Sequence, residues 1–432
     1  MKATQKRLIS LLLAVVLTLS CLAMTSCNLL SLIVDAPNDG GTVGGEGGSQ
    51  SGGGNQSGGD IYVEGGDNND ITINLNDSAS AIAASKAILS VVSIYAEFER
   101  TYTSGWGPGY SKTEEFAQSG AGVIYKLDKN KGDAYIITNY HVIHSSSDNS
   151  SSQIARRITL YLYGMEAAEY AIPAEFVGGS MQYDLAVLKV SASPVLISSI
   201  AMATTVADSN DVAVLDTAIA IGNPDTNGIS ATVGYVNVDS EEIELLASDD
   251  KTTVKIRVMR IDAAINGGNS GGGLFNSKGE LIGIVNAKKT TSDGMGYAIP
   301  SNVAKYIAEN ILYYCDGTDK TSVQRCLLGI TVTPSELYTV YDDETGRVHR
   351  CERVKIAEIV SGSLASEALQ VGDVINSITI DGTTYSVTRL FHVVDSMLNA
   401  RVGSRVVVNV DRGGATIDVS LEITESTLTE YK

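Results

Sequence analysis

Ile265-Asn266-Gly267-Gly268-Asn269-Ser270-Gly271-Gly272 is the stretch on which the reading of this chain turns. Glycines stand on both sides of a single serine. A serine that acts as a nucleophile needs a tightly turned backbone, because N–H groups must converge on the oxygen that gains charge. Glycine permits such a turn without a Cβ clash. The N–H groups of Gly268 and Ser270, with Asn269 between them, are the natural donors of an oxyanion hole. A Gly-Asn-Ser-Gly-Gly run also describes an ordinary loop, so the serine must find partners elsewhere.

Two upstream segments offer them. In Ile136-Ile137-Thr138-Asn139-Tyr140-His141-Val142-Ile143 a histidine directly follows a strand-like run, which suits a general base at a strand end. The chain has 4 histidines, so the choice is narrow. His144 would face another way, and His349 and His392 fall in a later segment. In Tyr183-Asp184-Leu185-Ala186-Val187-Leu188-Lys189-Val190 the aspartate precedes an apolar strand. A carboxylate held at the edge of a core is costly unless paired. An imidazole is the partner that would justify it, since the carboxylate then fixes the tautomer. Taken singly, each residue has a bland alternative: a structural histidine, an acidic turn, a glycine-rich loop. Taken together they run His, Asp, Ser, the chain order of chymotrypsin-like proteases.

With these segments in place the chain resembles the HtrA/Deg-type proteases. The resemblance rests on Ser119-Gly120-Ala121-Gly122-Val123-Ile124, Thr138-Asn139-Tyr140-His141-Val142, Asp184-Leu185-Ala186-Val187-Leu188-Lys189, Ala220-Ile221-Gly222-Asn223-Pro224, Ile261-Asp262-Ala263-Ala264-Ile265-Asn266, Gly268-Asn269-Ser270-Gly271-Gly272 and Gly296-Tyr297-Ala298-Ile299-Pro300-Ser301-Asn302. It implies a mostly β fold, a chymotrypsin-like double β-barrel followed by an α+β PDZ domain. It implies His141 as base, Asp184 as its orienter, Ser270 as nucleophile, and Gly268, Asn269 and Ser270 as the oxyanion loop. Gly267 and Gly273 stand where relatives often carry other residues, and the extra glycine loosens this loop. By the same resemblance Ala264, six residues before the serine, sits at the base of the specificity pocket, with Ile284, Asn286 and Ala298 on its walls. None is charged, so cleavage after small or aliphatic residues is expected, with the substrate strand paired along a wall strand.

A second domain follows. Leu328-Gly329-Ile330 and Val360-Ser361-Gly362-Ser363-Leu364-Ala365 resemble the PDZ pattern of the same family, in which backbone N–H groups near Leu328, Gly329 and Ile330 capture a peptide C-terminus. Leu364 replaces the usual proline.

The remainder of the 432-residue chain fits export. Lys2, Lys6 and Arg7 precede an apolar run over 8–22, the length of a signal peptide and short for a membrane span. Met24-Thr25-Ser26-Cys27 then resembles a bacterial lipoprotein box, which implies lipidation of Cys27; Cys21 fits less well. Residues 38–66 are dominated by Gly, Ser, Asn and Asp, too poor in apolar surface to fold. A flexible chain of about 50 residues spans roughly 40 Å, a tether from a membrane.

The net charge is -19, which disfavours binding to nucleic acid. No phosphate-cradling Gly-Lys-Ser/Thr loop is present, hence ATP independence. No Cys/His cluster has metal-ligand spacing, and no cofactor or metal is expected. Cys315 and Cys326 flank the domain linker; whether they pair in an oxidising setting, leaving Cys351 free, the sequence leaves open.

The expected layout is a signal peptide over 1–26, a tether over 27–78, a protease domain over 79–315 and a PDZ domain over 325–425. Short β-branched runs separated by turns (122–125, 135–138, 158–163, 185–190, 218–221, 254–261, 281–285) predict strands. A first strand after a short helix is expected within 81–95. The spacing over 301–314, opened by Pro300-Ser301-Asn302 as a cap, predicts a helix. The expected function is an ATP-independent serine endopeptidase outside the cytoplasm. It would act on unfolded proteins, anchored through lipid, and assemble as a homotrimer or a larger oligomer through Tyr95, Phe98, Tyr102 and Trp106. The competing expectation is a latent, protease-fold chaperone or stress sensor.

Overall fold

The computed structural model describes residues 79–103, 111–287 and 295–431, all within one unit, Ile71–Lys432. The signal segment, Cys27, the tether and Trp106 lie outside the described residues.

Helix α1 (Ala79–Ala87) leads through one 3-10 turn into β1 (Val91–Thr103). Strands β2 (Ser111–Asp128), β3 (Asp133–Thr138), β4 (Arg157–Leu162), β5 (Ile172–Ser180) and β6 (Leu185–Val190) follow. They close into a barrel in the order β1-β2-β3-β6-β5-β4. In β4 the buried residues Ile158, Leu160 and Leu162 alternate with more open ones, the period of a strand with one core face. β6 is apolar apart from Lys189, which pairs with Asp316 (2.9 Å), because it has two buried faces. Ala186, Leu188 and Val190 fill the barrel, while Leu185 and Val187 pack into a second cluster between the barrels.

The one-turn helix α2 (Tyr140–Ile143) follows β3, and α3 (Pro194–Ser198) leads towards the second barrel. That barrel contains β7 (Thr217–Gly222), β8 (Ser230–Leu246), β9 (Thr253–Ile261), β10 (Gly273–Phe275), β11 (Leu281–Asn286) and β12 (Gly296–Pro300). It closes in the order β10-β11-β12-β9-β8-β7. Its interior holds Ala220, Val236, Met259, Ile261, Val285 and Ala298. Helix α4 (Ser301–Tyr314) lies against the cluster between the barrels. Val303, Ala304, Ile307, Ala308 and Ile311 are its buried stripe, at helical spacing. The cap expected at its start is different in kind. Pro300 occupies the N-cap with no side-chain cap bond. Ser301 Oγ instead donates to Ala207 O (2.8 Å), and Asn302 Nδ2 to Asp208 Oδ1 (2.6 Å). These bonds tie the helix to a barrel loop.

β13 (Val323–Cys326) crosses to the second domain. There β14 (Ile330–Asp342), β15 (Arg347–Ile359), β16 (Val374–Ile380), β17 (Thr383–Ser386), α5 (Leu390–Met397), β18 (Arg405–Arg412) and β19 (Ala415–Glu422) enclose a separate core that includes Leu328, Val354, Ile375, Ile378, Val406 and Val408. The sheet order is β14-β15-β16-β18-β19, with β17 paired to β16, so β14 is an edge strand. A last strand, β20 (Leu428–Tyr431), returns to pair with β13.

Cys315 and Cys326 do not pair. Cys315 sits in the cluster between the barrels and Cys326 in the second domain's core, and both thiols are free. Sγ of Cys326 faces Thr427 Oγ1 at 3.7 Å, and burial pushes the Cys315 thiol up to about 11. Phe98, expected at an oligomer contact, is closed over by Phe116 (centroids 5.3 Å apart) and fully buried. Tyr102 is exposed.

The two domains meet through paired charges. Arg257 of β9 pairs with Asp395 of α5 and lies 3.5 Å from the centre of the Phe391 ring. Arg389 pairs with Asp239 (2.9 Å), and Arg347 at the β14–β15 hairpin pairs with Asp216 (2.9 Å). Burial outweighs Arg257 and raises the Asp395 carboxyl. Within this junction burial, with Arg257 and Arg389 adding to it, pushes His392 down to about 4.

An unfolded chain takes up that proton near pH 6.5, whereas the folded one resists to about 4. The stabilisation is complete above pH 6.5 and is lost as the pH falls through that window, by up to about 3 kcal/mol. Denaturant midpoints measured from pH 7 to 4 should therefore fall, and His392→Gln should flatten the decline. An equally steep decline in the variant would assign the effect to other groups.

Candidate active site

Asp184 ends the turn between β5 and β6 in the left-handed region, at φ 51°. Its carbonyl accepts from Asn139 Nδ2 at 2.9 Å. Its carboxylate is 3% exposed and fully engaged. Oδ1 accepts the His141 backbone N–H at 3.0 Å. Oδ2 meets His141 Nδ1 at 2.7 Å and accepts from Asn286 Nδ2 at 2.8 Å. A carboxylate with these donors makes Nδ1 the protonated nitrogen, which leaves Nε2 free to accept a proton. His141 lies on α2, one residue inside the helix, rather than directly at the end of β3. The helix backbone is what presents both its N–H and its ring to Asp184.

Ser270 belongs to the second barrel and is 6% exposed. Its carbonyl accepts from Ala121 N at 2.8 Å, which fastens it to the first barrel. The next residue, Gly271, has φ 82°, and a Cβ there would stand 2.2 Å from Ala121 O and 2.3 Å from Thr138 Oγ1. No other residue fits. Gly271 N donates to Val285 O (2.9 Å) and Val285 N to Gly272 O (2.8 Å), so the serine loop is stitched to β11. Ser270 Oγ accepts from Ala287 N at 3.2 Å. No hydrogen bond joins Oγ to the His141 ring among the described residues.

The loop before Ser270 is a type II turn. Asn269 N donates to Asn266 O at 3.1 Å, and Gly268 at the third position has φ 92°. Gly268 O accepts from Asn223 N at 3.2 Å. The Gly268–Asn269 peptide is therefore held from both ends. The N–H groups of Gly268 and Ser270 have no acceptor among the described residues, as an anion-binding pair requires. Asn269, expected within the hole, spends its N–H on Asn266, which leaves two donors.

The four residues read as pocket separate in the fold. Ala298 is buried in the second barrel's interior, opposite Val285 in register. Ala264 is exposed, and its carbonyl accepts from Thr232 Oγ1 at 2.9 Å. Ile284 turns away from Ala298 into the cluster between the barrels, because strand alternation puts Val285 on the other face. Asn286 turns its amide to Asp184. That contact and Asn139's were not assigned from sequence, since a single asparagine carries no pairing signal until the strands bring it to its partner. Among the described residues no group of His, Cys, Asp or Glu is arranged to hold a metal ion.

In the second domain Leu328 O accepts from Ala365 N (3.0 Å) and Gly329 O from Val360 N (2.8 Å). The N–H groups of Leu328 and Gly329 take no acceptor among the described residues. Ile330 opens the edge strand β14, which α5 adjoins.

A model of the trypsin-like peptidase domain matches residues 120–284, and a model of the PDZ domain matches 326–423. The serine protease Do-like HtrA of Lactococcus lactis is 30% identical over 385 residues, which is 83% of this chain and 85% of that protein. The periplasmic serine endoprotease DegP of Escherichia coli is 29% identical over 334 residues, 74% of this chain and 60% of its own length. The solved HtrA-type protease AlgW with decapeptide covers 80% of this chain and 98% of its own, at 24% identity and a TM-score of 0.48. With a His–Asp pair on one barrel, a serine loop on the other and a PDZ domain behind them, this chain belongs to the Do-like HtrA serine proteases.

Proposed function

We propose that the chain is an ATP-independent endopeptidase of the extracytoplasmic space that degrades unfolded polypeptides. The observation that carries this reading is the buried Asp184 carboxylate bound to His141 Nδ1, with Ser270 on the adjoining barrel. Ser270 Oγ attacks the scissile carbonyl and His141 Nε2 takes its proton. Asp184, steadied by Asn286 and Asn139, holds the imidazole and stabilises the imidazolium. The N–H groups of Gly268 and Ser270 receive the oxyanion. His141 then returns its proton to the leaving amine, and water hydrolyses the acyl-enzyme by the same steps.

The second domain captures peptide C-termini at the N–H groups of Leu328, Gly329 and Ile330, with the peptide lying along β14. Export directs the protein outside the cytoplasm, Cys27 carries the lipid anchor, and assembly is trimeric or higher.

The uncharged Ala264, which the resemblance sets at the base of the pocket, supports cleavage after small or aliphatic side chains. Mass mapping of fragments from an unfolded casein-like substrate is expected to place Ala, Val, Leu or Ile before most cuts. A majority of cuts after Lys, Arg or aromatic residues would overturn this preference.

One observation favours a second reading, a latent resting state. Ser270 Oγ is bonded by Ala287 N and not by His141. In that reading a C-terminal peptide at the PDZ domain switches the serine on.

A further inference from the structure

A non-glycine residue keeps a left-handed conformation only where its surroundings hold it there. On the triad side of Asp184 the hydrogen bonds described above do this. The opposite side of the turn is Tyr183. Its ring packs on Tyr431 of β20, with centroids 6.4 Å apart at 40°. The Tyr183 hydroxyl is buried and has no partner among the described residues, so the residue is held by ring contact and not by a hydrogen bond.

Tyr431 arrives from beyond the second domain, and it is firmly held. β20 pairs antiparallel with β13, with Tyr431 opposite Val323 and Leu428 opposite Cys326. Arg325 of β13 covers the Tyr431 ring, its Cζ 5.0 Å from the centroid. β13 is in turn fixed to the protease domain. Gly179 N at the end of β5 donates to Thr321 O at 2.9 Å. Asn310 of α4 brackets Gln324, donating to its carbonyl at 2.8 Å and accepting from its N–H at 3.0 Å. The two-stranded sheet thus ties the turn that carries Asp184 to α4 and to the strand that follows the PDZ domain.

We infer that Tyr431 is a positioning residue for the catalytic carboxylate: through Tyr183 it braces the 181–184 turn, so that the segment following the second domain helps to set the triad. The inference rests on reading Asp184 as the orienter of His141. A shift of about 1 Å in a catalytic group, caused from a distance, can cost about 100-fold in rate. Removing the Tyr431 ring withdraws the only aromatic support of Tyr183 among the described residues.

The experiment uses the full chain and a chromogenic peptide substrate, well below each variant's melting temperature. Tyr431→Ala is expected to lower kcat by roughly 10- to 100-fold with KM within about twofold, and Tyr431→Phe, which keeps the ring, to restore the wild-type kcat. A kcat for Tyr431→Ala within twofold of wild type, or a Phe variant as slow as the Ala variant, would overturn the inference. If Tyr431→Ala does not fold, Tyr183→Leu removes the other ring with β20 intact, and the same kcat loss is expected; its absence overturns the proposal. Labelling of wild type at Ser270 by a fluorophosphonate separates the two levels. No labelling either with or without a C-terminal peptide for the second domain sinks the triad reading itself, whereas labelled wild type with an unaffected Tyr431→Ala sinks only the brace.

Discussion

Ser270→Ala is expected to reduce hydrolysis of an unfolded casein-like substrate by roughly 10⁵- to 10⁶-fold, to the level left by binding and the oxyanion hole alone. The fold should survive. The hydroxyl's one hydrogen-bond partner among the described residues is Ala287 N at 3.2 Å, and losing a bond of that kind costs about 1 kcal/mol. The Gly271 turn and the Ala121 bond to the Ser270 carbonyl involve only backbone. Thermal melting should therefore remain close to wild type while proteolysis and fluorophosphonate labelling vanish. A variant that cleaves as fast as wild type would remove Ser270 from the reaction.

Asp184→Asn should cost about 10⁴-fold in kcat with a retained fold. The reasoning is a count of donors. Three N–H groups converge on the Asp184 carboxylate: the His141 backbone, His141 Nδ1 and Asn286 Nδ2. An asparagine offers one acceptor oxygen and sets an NH₂ against the rest. If that NH₂ faces the ring, Nδ1 becomes the acceptor and Nε2 carries the hydrogen, so His141 can no longer take the serine proton. Ser270 and the two free loop N–H groups are untouched, so the residual rate should match that of an enzyme with an oxyanion hole and no base. A loss of less than tenfold at the pH optimum would show that Asp184 does not orient the base.

Much of the architecture was legible because it is written in local pattern. The 185–190 and 301–314 segments coincide with β6 and α4, since apolar runs and helical spacing are properties of a few consecutive residues. β8 was harder to read. Its 17 residues carry few fully buried side chains and are interrupted by register shifts against β9, so their alternation is broken. The pairing of Cys315 with Cys326 stayed open in the sequence for a related reason. Proximity in sequence put Cys315 and Cys326 beside each other, but β13 carries one out of the first core and into the next.

The sequence by itself determined the chemistry available. One histidine after an apolar run, one aspartate before another and one serine among glycines, in that order, single out the candidate reactive groups and point to the class of fold that presents them. Glycine at 271 is a local necessity, because its φ of 82° and the carbonyl of Ala121 leave no room for a side chain. Only the tertiary structure decided how those groups are aimed. Asn286 turns from the pocket to the carboxylate, Asn269 leaves the oxyanion hole, Ile284 enters the core, and Tyr431 reaches Tyr183 from 248 residues away in sequence. Each of these depends on which face of a strand a side chain occupies and on which distant strand lies opposite. Those are set when the barrels close and β20 finds β13, by contacts that no local pattern of residues encodes.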